Sequence, residues 1–304
     1  MERFNSNHSD REYLKDRYKW IQFFIERFDP FSHLVMISLF IAGHMSLVKE
    51  VDVKSALLLF TGTTIFFFKL RCFDEVKDLD LDMKINPDRP LPRGLLSVFD
   101  MKDAIILCFL FENIIFYTIG VNAGIAMSIA SLYSFIMYKE FFMGAWFRDK
   151  LTSYATAHTL VTILLSLSLF CALSGDSFYS LGIKEYCFAI VSWLLFNIFE
   201  LGRKTFLQSE ERDQVESYSK VWGKGGAVIL VATHACVAEV ILTLGVGLSS
   251  NFANIYFNSC FAVFVLLGIY FLTKKSGKSG VLFRGYSSFY IILIYSGVIV
   301  EKLL

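Results

Sequence analysis

Residues 55–94 read SALLLFTGTTIFFFKL (55–70), then RCFDEVKDLDLD (71–82), then, after Met83, Lys84 and Ile85, NPDRPLPRG (86–94). The first part is apolar and close to the length a helix needs to cross about 30 Å of hydrocarbon. The second part is acidic. On a helix Arg71, Asp74, Glu75, Asp78 and Asp82 are spaced by three or four residues and share one face. Carboxylates on one stripe repel each other, and a cation between them removes that penalty. Carboxylate-rich oxygen sites suit Mg²⁺, which keeps several waters and bridges to phosphate oxygens. A solvated, charged helix end is the plainer reading of the stripe alone. The third part weighs against it. Pro87, Pro90 and Pro92 fix φ and remove donors, so this segment is a stiff, non-helical turn carrying Arg89 and Arg93. A rigid basic turn beside an acidic cluster is more than generic solvation.

The apolar pattern continues in both directions. The 304 residues are 55% hydrophobic and 19% charged, with a mean hydropathy of +0.53. Soluble domains run at roughly 45–50% apolar and about 25% charged. Apolar runs fall near 32–48, 55–70, 103–119, 122–138, 153–173, 185–200, 226–247, 252–273 and 286–303. Strand alternation is absent. Helices satisfy their own backbone in lipid, so the expected fold is all-α, a polytopic membrane bundle of about nine transmembrane helices in one unit spanning 1–304.

With the N-terminus cytoplasmic, only Lys49, Lys54, Lys184 and Lys302 of the 29 Lys and Arg fall outside. The other 25, Lys69 and Arg71 among them, fall inside, as the positive-inside rule requires. An integral protein of the inner (cytoplasmic) membrane is expected. Within residues 1–30, Trp20, Ile21, Phe24, Ile25 and Phe28 recur at helical spacing between basic residues. They predict an amphipathic cytoplasmic segment that either lies on the inner leaflet or packs on the bundle. That segment is too charged for a cleavable signal peptide. A net charge of +1 gives no reason to expect a nucleic-acid partner. The six Cys form no CxxC pair and read as small buried hydrophobes.

The loop after the sixth run carries Glu200, Arg203, Lys204, Glu210, Glu211, Arg212 and Asp213, followed by Ser217–Gly223. Both acidic loops fall on the cytoplasmic side and can face one pocket. Polar residues inside spans are costly and suggest sites. Glu112, Asn113, His158, Asn197, His234 and Glu239 qualify, with Glu140 at a span end. Interhelical hydrogen bonding is the blander account.

At these loops the chain resembles the UbiA superfamily of intramembrane prenyltransferases. That family has about nine spans, an NDxxDxxxD motif after the second and a DxxxD-like motif after the sixth. Asp74-Glu75-x-x-Asp78-x-x-x-Asp82 occupies the first motif, and Arg89-Pro90-Leu91 matches the turn that follows. The second motif departs more, with Glu200, Glu210 and Glu211 as its candidates. The resemblance implies two or so Mg²⁺ ions held by Asp74, Glu75, Asp78, Asp82, Glu200, Glu210 and Glu211, with Asp78 and Glu75 catalytic. It implies diphosphate contacts from Arg71, Lys77, Arg89, Lys139, Arg203 and Lys204. The partners would be a prenyl diphosphate, a lipophilic acceptor and the bilayer. A prenyltransferase releasing pyrophosphate is the leading expectation. A terpene cyclase of the same type and a membrane transporter are the alternatives.

Overall fold

The computed structural model describes residues 18–48, 51–144, 146, 150–212, 216–275 and 277–304. Residues 18–27 form helix α1. There follow α2 (Pro30–Met45), α3 (Val53–Lys77), α4 (Leu79–Ile85), α5 (Val98–Ile119), α6 (Val121–Tyr138), α7 (Leu151–Thr159) and α8 (Val161–Ser174). The last four are α9 (Ile183–Arg203), α10 (Tyr218–Leu244), α11 (Asn251–Thr273) and α12 (Ser279–Leu303). No strand occurs among the described residues.

Every apolar run falls on a helix, with α7 and α8 together making one span. Among the described residues seven spans are long and apolar enough to cross a membrane: α3, α6, α7–α8, α9, α10, α11 and α12. The shorter α2 is also apolar, and α5 is diluted by Asp100, Lys102, Asp103 and Glu112. The chain is an integral membrane protein.

Local chemistry sets the helix starts. Asp29 caps α2 just before Pro30, and Asp52 caps α3 through the Ser55 amide. Ser97 and Asp100 form a reciprocal capping box on α5, and Ser217 and Ser250 cap α10 and α11. Each side chain satisfies an amide that the helix leaves without a partner. α10 begins before its apolar run because Gly223, at φ 68°, breaks it into a short entry turn and the membrane span.

The spans close into a ring. α3 packs on α5, α5 on α6, α6 on α8, α8 on α9, α9 on α10 and α12, and α12 on α2, which returns to α3. Small residues permit the closest approaches. A Cβ on Gly202 would lie 2.2 Å from Ser287 Cβ, at the α9–α12 crossing.

α1 answers the choice left open by its sequence. Trp20, Phe23, Phe24 and Phe28 pack around Phe68 of α3, with Phe23 and Phe28 fully buried. Tyr18, Ile21 and Ile25 stay exposed on the other side. Residues 1–17 of the segment lie outside the described residues. The cysteines depart in part from expectation: Cys72, Cys171 and Cys260 are buried, but Cys236 is exposed on α10.

Lys69 departs further. Although counted with the inner-side basic residues, it is fully buried and ion-paired with Glu112 of α5, which also accepts the Ser131 hydroxyl of α6. Its ammonium lies 4.5 Å from the Phe66 ring centroid. The other polar residues inside spans also find protein partners. Ser128 donates to Asn113 and Thr159 to Asn197. The Tyr290 hydroxyl donates to Glu239 at 2.7 Å.

Removing one partner of a buried ion pair leaves an uncompensated charge, at about 3–5 kcal/mol in soluble proteins. Lys69→Met is expected to lower the melting temperature in detergent by several degrees. Adding Glu112→Leu should restore most of the loss. Equal melting temperatures for wild type and Lys69→Met would contradict the role of the pair.

Candidate active-site cavity

An open cavity of about 1490 Å³ lies at the end of the bundle where α3, α6 and α9 finish and α7 and α10 begin. Residues of both loops line it, so the two segments that the sequence marked do share one space. Eight basic and six acidic side chains face it.

The first wall comes from α3 and α4. α3 runs on past its apolar stretch to Lys77, and the Asp78 amide still donates to the Asp74 carbonyl. Asp74 and Asp78 lie one turn apart and both open on the cavity. Neither carboxylate accepts a hydrogen bond from a protein group among the described residues. Protein surrounds much of Asp78 even though it is open to the cavity. This burial, followed by the charge of Asp82, raises its carboxyl above the ordinary range.

Asp82 sits on the same wall, but Arg89 holds both of its oxygens at 2.6 Å and Asn86 donates to one at 3.0 Å. The proline turn explains how Arg89 reaches it. Residues 86–97 make no helix, Leu95 N–H closes on the Pro90 carbonyl, and Gly94 takes φ 76°. Glu75 is not among the cavity-lining side chains. It is 2% exposed and paired with Arg27 Nε of α1 at 2.7 Å and with Arg71. A second tie joins α1 to the turn, since Arg93 grips Glu26 through two hydrogen bonds of 2.9 and 2.8 Å.

The second wall is basic. Arg203, Lys204 and Arg212 line it, with Glu216 as its carboxylate among the described residues. Glu200 is held by Arg203 Nε at 2.7 Å and Lys204 Nζ at 2.8 Å. Glu210 is taken by both Arg284 nitrogens, at 2.6 and 2.8 Å, and that bond holds its carboxyl below the usual range. Glu211 accepts the hydroxyls of Ser217 and Ser219, at 2.7–2.8 Å. Glu200, Glu210 and Glu211 are therefore not among the cavity-lining side chains, nor is Lys139, whose ammonium lies over the Tyr138 ring. Asp213 lies outside the described residues.

Arg71, Lys77, Arg89, Arg203 and Lys204 do line the cavity. Lys77 donates to the Tyr154 hydroxyl at 2.5 Å and lies 3.2 Å from His158 Nε2. The His158 Nδ1–H donates to the Tyr154 carbonyl at 2.7 Å, which leaves Nε2 as the acceptor. Arg27, Tyr154, Arg212 and Glu216 are cavity residues that sequence reasoning did not single out. Tyr154 had a signal, the polar turn TSYATAH at the start of an otherwise apolar span. Glu140 reaches the cavity from a turn in which Glu140, Phe141 and Phe142 all have positive φ.

Among the described residues no three His, Cys, Asp or Glu side chains converge on a common point as a metal cage. The fit is to a different kind of site. Mg²⁺ is usually held by one or two carboxylates plus substrate phosphates, and the open pair Asp74 and Asp78 supplies that donor set.

No family model matches the chain, and no curated protein matches it by sequence. Solved structures do match in fold. A digeranylgeranylglyceryl phosphate synthase aligns over 93% of this chain and 98% of its own, at 16% identity and a TM-score of 0.65. The apo structure of a UbiA homolog from Aeropyrum pernix K1 aligns over 90% and 98%, at 16% identity and a TM-score of 0.63. The chain thus has the fold of the UbiA-type membrane proteins over nearly its whole length.

Proposed function

We propose that the chain is an intramembrane prenyltransferase that ionises an allylic prenyl diphosphate and passes the prenyl group to a lipophilic acceptor, releasing pyrophosphate. The observation that carries this reading is the pairing of open carboxylates, Asp74 and Asp78, with a basic wall across one cavity at a single end of a UbiA-fold bundle. The charge asymmetry of the loops supports a cytoplasmic placement for that end.

In this reading Asp74 and Asp78 hold Mg²⁺, which when bound neutralises charge building on the departing diphosphate. Arg71, Lys77, Arg203 and Lys204 bind diphosphate oxygens. Arg89 and Asn86 keep Asp82 fixed behind the open pair. Tyr154 and His158 hold the Lys77 ammonium in place. Glu75, with Arg27 and Arg71, positions the end of α3 and takes no part in binding. The acceptor arrives from the bilayer, and the bundle keeps water from the allylic cation. Transport is disfavoured because Lys69 and Glu112 inside the spans pair with each other and Glu239 accepts from Tyr290.

Purified protein is expected to release pyrophosphate from an allylic diphosphate with Mg²⁺, and chelation should stop it. A prenylated acceptor among the products supports the transferase. A terpene formed without acceptor would support the cyclase instead. Asp78→Asn and Asp74→Asn should each cut turnover about a hundredfold or more without lowering the melting temperature. Turnover near wild type in both would count against the site.

Glu75→Gln should behave differently, since its ion pairs are structural. The melting temperature should fall, and turnover should fall less than in Asp78→Asn. Glu210→Gln should turn over near the wild-type rate. A Glu210→Gln loss as large as that of Asp78→Asn would show that Glu210 leaves Arg284 to act in the cavity.

A further inference from the structure

We infer that α1 is a lipid-seated strap: its Tyr18, Ile21 and Ile25 flank rests in the phospholipid leaflet at the cavity end of the bundle, and that seat helps to keep Arg27 on Glu75. The contact is one between protein and membrane, and it holds whatever reaction the cavity performs.

α1 has three sides rather than two. Successive residues lie about 100° apart around a helix, and those of α1 fall into three sectors. Trp20, Phe23, Phe24 and Arg27 share the first, where the aromatic rings pack on Phe68 of α3 and Arg27 pairs with Glu75. Lys19, Gln22 and Glu26 share the second, which is polar. Gln22 donates to Glu26 at 2.9 Å, Arg93 of the proline turn holds Glu26, and Lys19 pairs with Asp100 of α5 at 3.1 Å. Tyr18, Ile21 and Ile25 share the third, and each is more than half exposed.

A single exposed apolar side chain is ordinary. Here three on adjoining turns carry the apolar arc past the part that α3 covers, which is the pattern of a helix lying in a membrane interface. The bundle takes the first sector and the loops take the second. The third opens on whatever surrounds the bundle, and around an integral membrane protein that is lipid. The depth agrees. α1 lies level with the ends of the spans, because Arg27 meets the last turn of α3 and Lys19 the first turn of α5. The boundary between lipid and water passes there, where a Tyr such as Tyr18 is favoured. On the same rim Phe99 is exposed, with the Lys102 ammonium 5.9 Å from its ring centroid.

The seat is coupled to the cavity because two ties leave α1 from neighbouring residues. Arg27, a cavity-lining side chain, pairs with Glu75, and Glu26 pairs with Arg93. A short helix is held by its packing more than by its own hydrogen bonds. Lipid on the third side adds to the hold from α3. Without it α1 loosens, Arg27 leaves, and Glu75 keeps Arg71. The last turn of α3, which carries Asp74, loosens with it.

The test uses the full chain in phospholipid nanodiscs. p-Benzoylphenylalanine placed at Ile25 is expected to form a phospholipid adduct on irradiation, seen as a mass increase, and the same group placed at Gln22 is expected to form little. Equal adducts at the two positions, or none at Ile25, would overturn the lipid seat. A crosslink from position 25 to a second copy of the chain would overturn it too, by assigning the flank to a protein contact. Hydrogen exchange reads the coupling. Ile21→Gln combined with Ile25→Gln is expected to speed amide exchange about tenfold over residues 18–27 and over residues 71–78, with α12 unchanged. Faster exchange over 18–27 alone would overturn the coupling to the cavity. Unchanged exchange over both segments would overturn the seat as a support of α1.

Discussion

Glu75 sits one residue from Asp74 and points about 100° away from it around α3. Buried at 2% exposure, it joins Arg27 of α1 to Arg71 of α3, and the geometry of the cavity follows from that clasp. A carboxylate this deeply buried is tolerable only if paired. Arg27 therefore holds α1 across the end of α3, while Arg71 pairs with Glu75 along α3 itself. Asp74 and Asp78 open on the cavity. Arg93 on Glu26 ties the proline turn to the same short helix, and Arg89 on Asp82 ties it to α4. Opposite charges that are not meant for a ligand cancel one another around the rim, and the open pair remains.

The membrane shapes the rest of this arrangement. Charge is expensive in the bilayer core, so ionisable groups either pair internally or collect at the ends of spans. Lys69 and Glu112 take the first course and the two loops take the second. On the proposed reading, a cavity at the end of the bundle would meet both water, as the source of a diphosphate and metal ions, and the bilayer, as the source of an isoprenoid tail. A mixed-sign cavity there suits an anionic headgroup on a lipid chain better than it suits a purely anionic or purely apolar ligand.

The fold was largely legible because lipid forces a simple pattern. Each of the nine apolar runs coincides with a helix, and the ends drift by a few residues where caps or breaks such as Ser97 and Gly223 intervene. The site was legible in part. A spacing of three or four residues places Asp74, Glu75, Asp78 and Asp82 within one broad stripe, but adjacent residues on a helix point about 100° apart. Which edge of the stripe faces the cavity depended on Arg27, 48 residues away. The second loop was harder still. Nothing local shows that Glu210 would be taken by Arg284, 74 residues later, or that Glu75 would be taken by Arg27, 48 residues earlier. Those outcomes are tertiary, and they turned an apparently acidic loop into a basic wall.

The central claim is that Asp74 and Asp78 are the metal-holding pair. Anomalous scattering at the manganese edge, from crystals grown with Mn²⁺ and an unreactive allylic diphosphate analogue, tests it most directly. The predicted result is a peak bridging those two carboxylates to the diphosphate, with Glu75 still on Arg27. A peak at Glu210 or Glu211, or a diphosphate bound outside the cavity, would contradict the account.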